Sequence, residues 1–300
     1  YTQKPVLGVL PYLHDLHLDA EDALIAAPDK HADTKLKVLV LVLPRISNHT
    51  DFDPLRLNPQ VDFNYVSLQS QSQANTQTKL PAADLIIIPG SKNVRADLDF
   101  IREQGWDKEI EKHLRYGGKV LGICGGYQML GYAIDDPQGI ESHAGSSEGL
   151  GLLPLATELT CEKVLLQVKG TLSLLEQSAA VSGYEIHCGR SVSLRPTAQP
   201  LTLTERNEKA ADKDNASTAH ERLEGMLSAD NNILGTYLHG LFDSPAACQL
   251  LLQWAGMAKA NSIDVNEIRE QQLNRLADVL QSHMDLDALQ AIWANDDHQH

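Results

Sequence analysis

The sequence predicts an α/β protein with a mostly parallel central sheet and flanking helices. Three observations carry this. The runs "LKVLVLVLP" (36–44), "DLIIIPG" (84–90) and "KVLGI" (119–123) are almost wholly apolar. Strands covered on both faces read this way. Between the second and third run, residues 92–116 have helical spacing, with Leu98, Ile101, Trp106, Ile110 and Leu114 as apolar anchors. The chain has 300 residues, 42% of them hydrophobic, enough to bury one large α/β core or two small ones.

In chain order, "PVLGVLPY" (5–12) reads as a first strand and "LDAEDALIAA" (18–27) as a short helical or turn segment. The run at 36–44 follows, then "VDFNYVSL" (61–68), whose alternation suggests another strand. "SQSQANTQTK" (70–79) is polar and of low complexity, as mobile loops are. After the strand at 119–123, "GYQMLGYAI" (126–134) begins a helix. Beyond Gly151 the texture changes. "KVLLQVKGTLSLL", "AVSGYEIHCGRSVSL" and "EGMLSADNNILGTYLHGLF" read as strands and hairpins, with 230–232 as a turn. Residues 205–224 are charged and nearly free of large apolar side chains, which predicts a disordered surface insertion. Ser244 and Pro245 mark the start of a helix over 243–256. The last forty residues are helical in pattern, with Asp264 and Glu267 as a cap-like pair. An apolar stripe of Val265, Ile268, Leu273, Leu276 and Leu280 gives that segment a packing face.

Composition narrows the function. A net charge of −15 argues against a nucleic-acid partner and fits a solvated acidic surface. No apolar run reaches the ~18 residues of a membrane span, so no membrane partner is expected. Cys124, Cys161, Cys188 and Cys248 are widely spaced and form no metal-binding or disulfide pattern. With no signal peptide, the expected compartment is the reducing cytoplasm. The chain opens at Tyr1 on an apolar segment, which we read as a piece of a longer polypeptide.

The chemistry centres on "KVLGICGGYQMLG" (119–131). Cys124 lies between Gly122, Gly125 and Gly126 at a strand-to-helix transition. Small neighbours suit a sharp nucleophile turn, and amides at a helix start favour the thiolate. A buried core cysteine beside a Gly-rich turn would look the same locally. A base is needed, and His239 in "GTYLHGLFD" sits where an apolar segment ends in His-Gly, although an ordinary strand-end histidine fits that position too. An oxyanion hole needs two backbone donors. The N–H of Gly125 is one candidate, and "PGSKN" (89–93), with Gly90 and Ser91, is the candidate source of the second.

"GICGGYQ" resembles the G-x-C-x-G-x-Q motif of the class I glutamine amidotransferases. Within that class the chain is similar to the C-terminal glutaminase domains of the cobyric acid synthases. The resemblance is carried by "LPRISNHTDFDPL", "DLIIIPGSKN", "GICGGYQMLG", "GYEIHCGR" and "GTYLHGLFDSP", which run in family order. It implies a flavodoxin-like amidotransferase domain over 1–260, with inserted polar loops near 70–79 and 205–224, and a helical extension over 261–300 packed on it.

The resemblance also implies a reaction. Cys124 would attack the side-chain amide of glutamine, form a thioester and release ammonia, with His239 as base and acid and Gln128 on the substrate side. An upstream ATP-dependent synthetase domain, using ATP and Mg, would consume the ammonia to amidate a corrinoid, adenosylcobyrinic acid a,c-diamide. That domain is expected to be absent here, since no G-x-x-x-x-G-K-[ST] phosphate loop occurs. No cofactor and no metal are expected in the present chain. Many class I members carry His-x-Glu, but here the second residue after His239 is Leu241, so the group orienting the base stays unassigned. Glu185 and Asp243 are the acids nearest to family motifs, and both are expected to support geometry rather than act in the chemistry. His187 is expected to line a cleft or a domain interface without being catalytic. Three other readings stay open: a glutaminase subunit that amidates cell-wall lipid II, a non-catalytic binding module on the same fold, and a peptidase or chaperone of the wider Cys-elbow superfamily, which would not explain "YLHG". The "PRISNHTDFDPL" segment argues against the first, and the presence of both Cys124 and His239 against the second.

Overall fold

The structure is a computed structural model that describes residues 4–14, 16, 36–67, 79–205, 221–261 and 263–296. Its contacts divide the chain into two units: residues 22–263, and residues 1–21 with 264–300.

The larger unit begins with β1 (Leu36–Leu41), followed by β2 (Ile46–Ser47), a 3-10 turn at His49–Phe52, α1 (Asp53–Arg56) and β3 (Val61–Val66). Next come β4 (Leu85–Ile88), β5 (Gly90–Ser91), α2 (Val94–Glu103), α3 (Trp106–Arg115) and β6 (Lys119–Ile123). The one-turn α4 (Gly125–Met129) leads to β7 (Ala133–Asp136) and β8 (Gly145–Glu148). A long hairpin, β9 (Leu155–Leu174) and β10 (Gln177–Ser193), precedes β11 (Leu201–Glu205) and β12 (Glu221–Glu224). The unit closes with β13 (Met226–Leu227), β14 (Ile233–Thr236), β15 (Leu238–His239) and α5 (Pro245–Trp254).

The central sheet runs β13-β14-β6-β4-β1-β3, and every pair is parallel except the β13 edge. Alternation within the apolar runs divides the core. In β1, Leu36, Val38 and Val40 face one side, while Leu39 and Leu41 face the other. The first side is covered by α5 and by the inner face of a second, mostly antiparallel sheet with Val168, Leu172, Val181 and Leu203. The other side packs Val94, Leu98 and Ile101 of α2 and Trp106 and Ile110 of α3. This is the α/β arrangement the sequence predicted.

Several details differ from the sequence reading. The helical stretch 92–116 is two helices, broken at Gly105, which takes a left-handed φ of 71°. The helix expected from 126 onward lasts one turn, because Gly131 brings the chain against Leu155 and Tyr132 N–H bonds Leu155 O at 2.7 Å. The expected insertion at 205–224 ends in order: β12 pairs with β11, and Glu224 is buried. The predicted segments at 18–27 and 70–79 fall outside the described residues, except that 79 itself is described.

In the smaller unit, α6 (Val265–His283) and α7 (Leu286–Asp296) follow the Asp264 cap, whose carboxylate accepts the N–H groups of Asn266 and Glu267. Residues 5–12 form no strand there. Among the described residues they make a single bridge, Gly8 to Met284, and Val6, Val9 and Tyr12 are exposed. An apolar segment without a neighbouring strand along its length cannot complete a ladder. Among the described residues, no helix is long and apolar enough to cross a membrane.

Candidate active site

Three parallel strands deliver the key residues at their carboxyl ends, the place where open α/β sheets bind ligands. β4 leads into Pro89-Gly90-Ser91, β6 into Cys124, and β14 through Tyr237 to His239.

Cys124 has φ 52° and ψ −109°, a conformation that L-residues rarely adopt. The strained elbow is enforced by packing. The Cys124 N–H bonds Thr236 O at 2.8 Å, which ties the nucleophile to β14. Behind it, a Cβ on Gly126 would fall 2.0 Å from the carbonyl oxygen of Ile88, so the elbow can press against β4 only with glycine there. The thiol is nearly buried and donates to Ile186 O at 3.4 Å.

Gly125 faces the turn after β4. A Cβ on it would lie 2.8 Å from Ser91 N. β5 pairs with β2 in the register Ser47 to Gly90, and Lys92 N–H bonds Arg45 O at 2.9 Å. Alternation along an antiparallel strand then turns the Ser91 N–H away from β2, toward Gly125. The two amides, Ser91 and Gly125, therefore sit side by side next to Cys124. Gly90 has a different position. It is paired to β2, and its missing side chain leaves room for Ser47 and the His239 ring.

His239 is fully buried. Its Nδ1 lies 2.6 Å from Asp51 Oδ2, and Asp51 Oδ1 accepts the Gly240 N–H at 3.2 Å. Nε2 is the ring nitrogen left for the thiol. Burial works against a charged imidazole, but the Asp51 carboxylate, with the nearby Cys124 sulfur, outweighs it and raises the pKa to about 10. Tyr184 stacks on the ring with centroids 5.1 Å apart, and its hydroxyl accepts Asn48 Nδ2–H at 2.6 Å. Residues 45–51 thus form a strap that touches the turn after β4, Tyr184 and His239.

Asp51 is the residue the sequence reading missed as a site group. It is 188 positions from His239, so no spacing joins them. Two signals were available: its place inside "LPRISNHTDFDPL", one of the segments that carry the family resemblance, and its position in a polar stretch following the apolar run of β1, at the edge where functional loops gather.

The two acids considered beforehand lie elsewhere. Glu185 is the neighbour of Tyr184 on β10, so its side chain leaves the opposite face of the strand, where it pairs with Arg222. Asp243 sits past the Gly240 turn, its N–H bonded to Gly240 O at 3.0 Å. Gln128 is buried, and its Nε2–H donates to the Tyr237 hydroxyl at 3.0 Å. A cavity of about 310 Å³ is lined by Glu185, His187, Arg190, Arg222, Glu224 and Tyr237, among others. Ile186, whose carbonyl receives the Cys124 thiol, lies between two of these residues.

A buried thiol on a strained elbow, a carboxylate-held histidine and two neighbouring backbone amides are what acyl transfer through a covalent intermediate requires. Known proteins resemble this chain along most of its length. The chain is 63% identical over 296 residues to the cobyric acid synthase of Shewanella oneidensis, covering 97% of this chain and 57% of the relative. It is 50% identical over 295 residues to the cobyric acid synthase of Photobacterium profundum, covering 98% of this chain and 55% of that one. The chain therefore spans somewhat over half the length of these curated relatives. Among solved structures, PurLQS from Thermotoga maritima shares the fold with a TM-score of 0.52 at 20% identity, covering 74% of this chain and 99% of the other. Residues 37–247 match the CobB/CobQ-like glutamine amidotransferase domain, and the chain belongs to that family.

Proposed function

We propose that this chain hydrolyses glutamine through a thioester on Cys124. His239 takes the thiol proton, and the sulfur adds to the side-chain amide carbon while the C=O π pair moves onto oxygen. The Ser91 and Gly125 N–H groups receive that oxyanion. On collapse the C–N bond breaks, and nitrogen leaves as ammonia with the proton carried by His239. Water, deprotonated by His239, then adds to the thioester. The C–S bond breaks, glutamate leaves and the thiol is restored. Asp51 holds the imidazole ring and balances its charge.

The observation that carries this reading is the contact between Asp51 and His239 next to a nucleophile elbow. The sequence relatives support a finer reading. The ammonia feeds an ATP-dependent synthetase part that amidates corrinoid carboxylates. The test is a diazo-ketone glutamine analogue followed by mass spectrometry. One adduct at Cys124 is expected, along with glutamine hydrolysis that Cys124→Ala abolishes. Labelling at Cys161, Cys188 or Cys248 with Cys124 untouched would sink the reading.

A further inference from the structure

Asp97 takes no part in the chemistry above, yet its carboxylate is fully removed from solvent. A buried carboxylate is costly unless its oxygens are well supplied with donors. Here the donors come from two other pieces of chain. Oδ2 accepts the Ser91 Oγ–H at 2.6 Å and the Arg45 N–H at 3.2 Å, and Oδ1 accepts Arg45 Nη1–H at 3.3 Å.

Both partners belong to the site's frame. Ser91 is the residue whose backbone nitrogen lies against Gly125. Its hydroxyl donates to Asp97 and accepts the Asn93 N–H at 3.0 Å, so its rotamer is pinned from both sides. Arg45 opens the strap. Its N–H goes to Asp97 while its carbonyl receives the Lys92 N–H at 2.9 Å. Asp97 therefore grips the turn directly through Ser91 and indirectly through the strand that pairs with it.

We infer that Asp97 is a positioning residue that holds the Ser91 amide at the oxyanion site. The inference rests on the glutaminase reading. The far end of the strap keeps its own anchors, Asn48 on Tyr184 and Asp51 on His239, so the Cys124–His239 pair does not depend on Asp97. Burial pushes the Asp97 carboxyl pKa upward while the Ser91 and Arg45 bonds oppose this, in keeping with a group held by structure rather than by water.

The test compares Asp97→Asn with the unaltered chain in two reactions of Cys124. Glutamate γ-semialdehyde adds the sulfur to its carbonyl carbon, and the π pair moves onto an oxygen that needs the two amides. Iodoacetamide alkylates the same sulfur by displacing iodide and builds no oxyanion. Asp97→Asn is expected to weaken semialdehyde binding and lower glutaminase kcat by a common factor of about 10–100, with KM changed by less than about threefold. This is part of the ~10²–10³ lost when a donor is removed outright. Alkylation should stay within about twofold. Ser91→Ala removes only the hydroxyl and keeps the amide. It should show the same selectivity at about 3–10-fold, and it decides the matter by the same criterion if Asp97→Asn does not fold. Unchanged semialdehyde affinity, or alkylation falling as far as semialdehyde binding, would overturn the inference. Failure of the unaltered chain to take either reagent at Cys124 would overturn the glutaminase reading, and this inference with it.

Discussion

His239 and His187 stand on neighbouring strands of one sheet, and their surroundings push them in opposite directions. His239 meets a carboxylate and a thiol, which overcome burial and raise its pKa to about 10. His187 is lowered to about 4, first by burial and then by the positive Arg222 and His239, against the pull of its bond to Gly189 O at 2.8 Å. Its ring stacks flat on Tyr237 with centroids 3.8 Å apart. At neutral pH one ring is held protonated between its acid partners and the other is a neutral wall of the adjoining cavity. The difference lies in which charge reaches the ring, not in depth or in strand position.

The strongest test of the contrast is to remove each ring. His239→Ala should lower glutaminase kcat by about 10³ or more, within reach of a lost general acid–base. His187→Gln should change it by less than about fivefold. Equal losses from the two variants, both verified as folded, would erase the distinction.

Asp51→Asn keeps the shape and removes the charge. A loss of at least about 10² in kcat is expected, below the ~10⁴ seen when a comparable triad acid is neutralised. The His239 imidazole should titrate near or below ~6.5 by NMR, where an ordinary histidine does. An unchanged titration would show that Asp51 is a bystander.

Gly125→Ala should cost about 10-fold or more in kcat. Its new methyl would fall 2.8 Å from Ser91 N and push that backbone away from the oxyanion position. Covalent capture of Cys124 by iodoacetamide serves as the control, since it needs no oxyanion donor.

The smallest effect is on stability against pH. The folded pKa of His239 is raised, so its contribution is fully present below ~6.5 and is lost as pH rises through about 10. The folded pKa of His187 is depressed to about 4, so between that value and ~6.5 the unfolded chain binds the extra proton and stability rises with pH. Urea midpoints should therefore separate the two. His187→Gln should flatten the acid limb between about pH 4 and 6.5, and Asp51→Asn the alkaline limb toward pH 10. A single variant that flattened both limbs would mean the two rings titrate together.

Much of the fold could be read in the sequence. β1, β4 and β6 were legible because strands buried on both faces leave unbroken apolar runs. Cys124 was legible because its elbow tolerates only small neighbours, as the contact of Gly126 with Ile88 explains. Other features were hidden because local pattern was not what decided them. The stretch 5–12 has strand composition but, among the described residues, finds one bridging partner. β12 lies in a charged stretch and exists because β11 offers an edge, where Leu201 pairs with Glu224.

What the sequence by itself determined is the set of short-range constraints: apolar runs that must be strands, glycines that permit the Cys124 elbow, and a Pro-Gly-Ser turn able to present an amide. These follow from backbone sterics and the burial of apolar surface, which act over a few residues. What only the tertiary structure decided is which ionisable groups meet. Asp51 reaches His239 across 188 positions, and Asp97 reaches back to Ser91 and to Arg45, 52 positions away. Charge and hydrogen bonding act through space over a few ångströms, so their partners are set by how the sheet brings its carboxyl edges together.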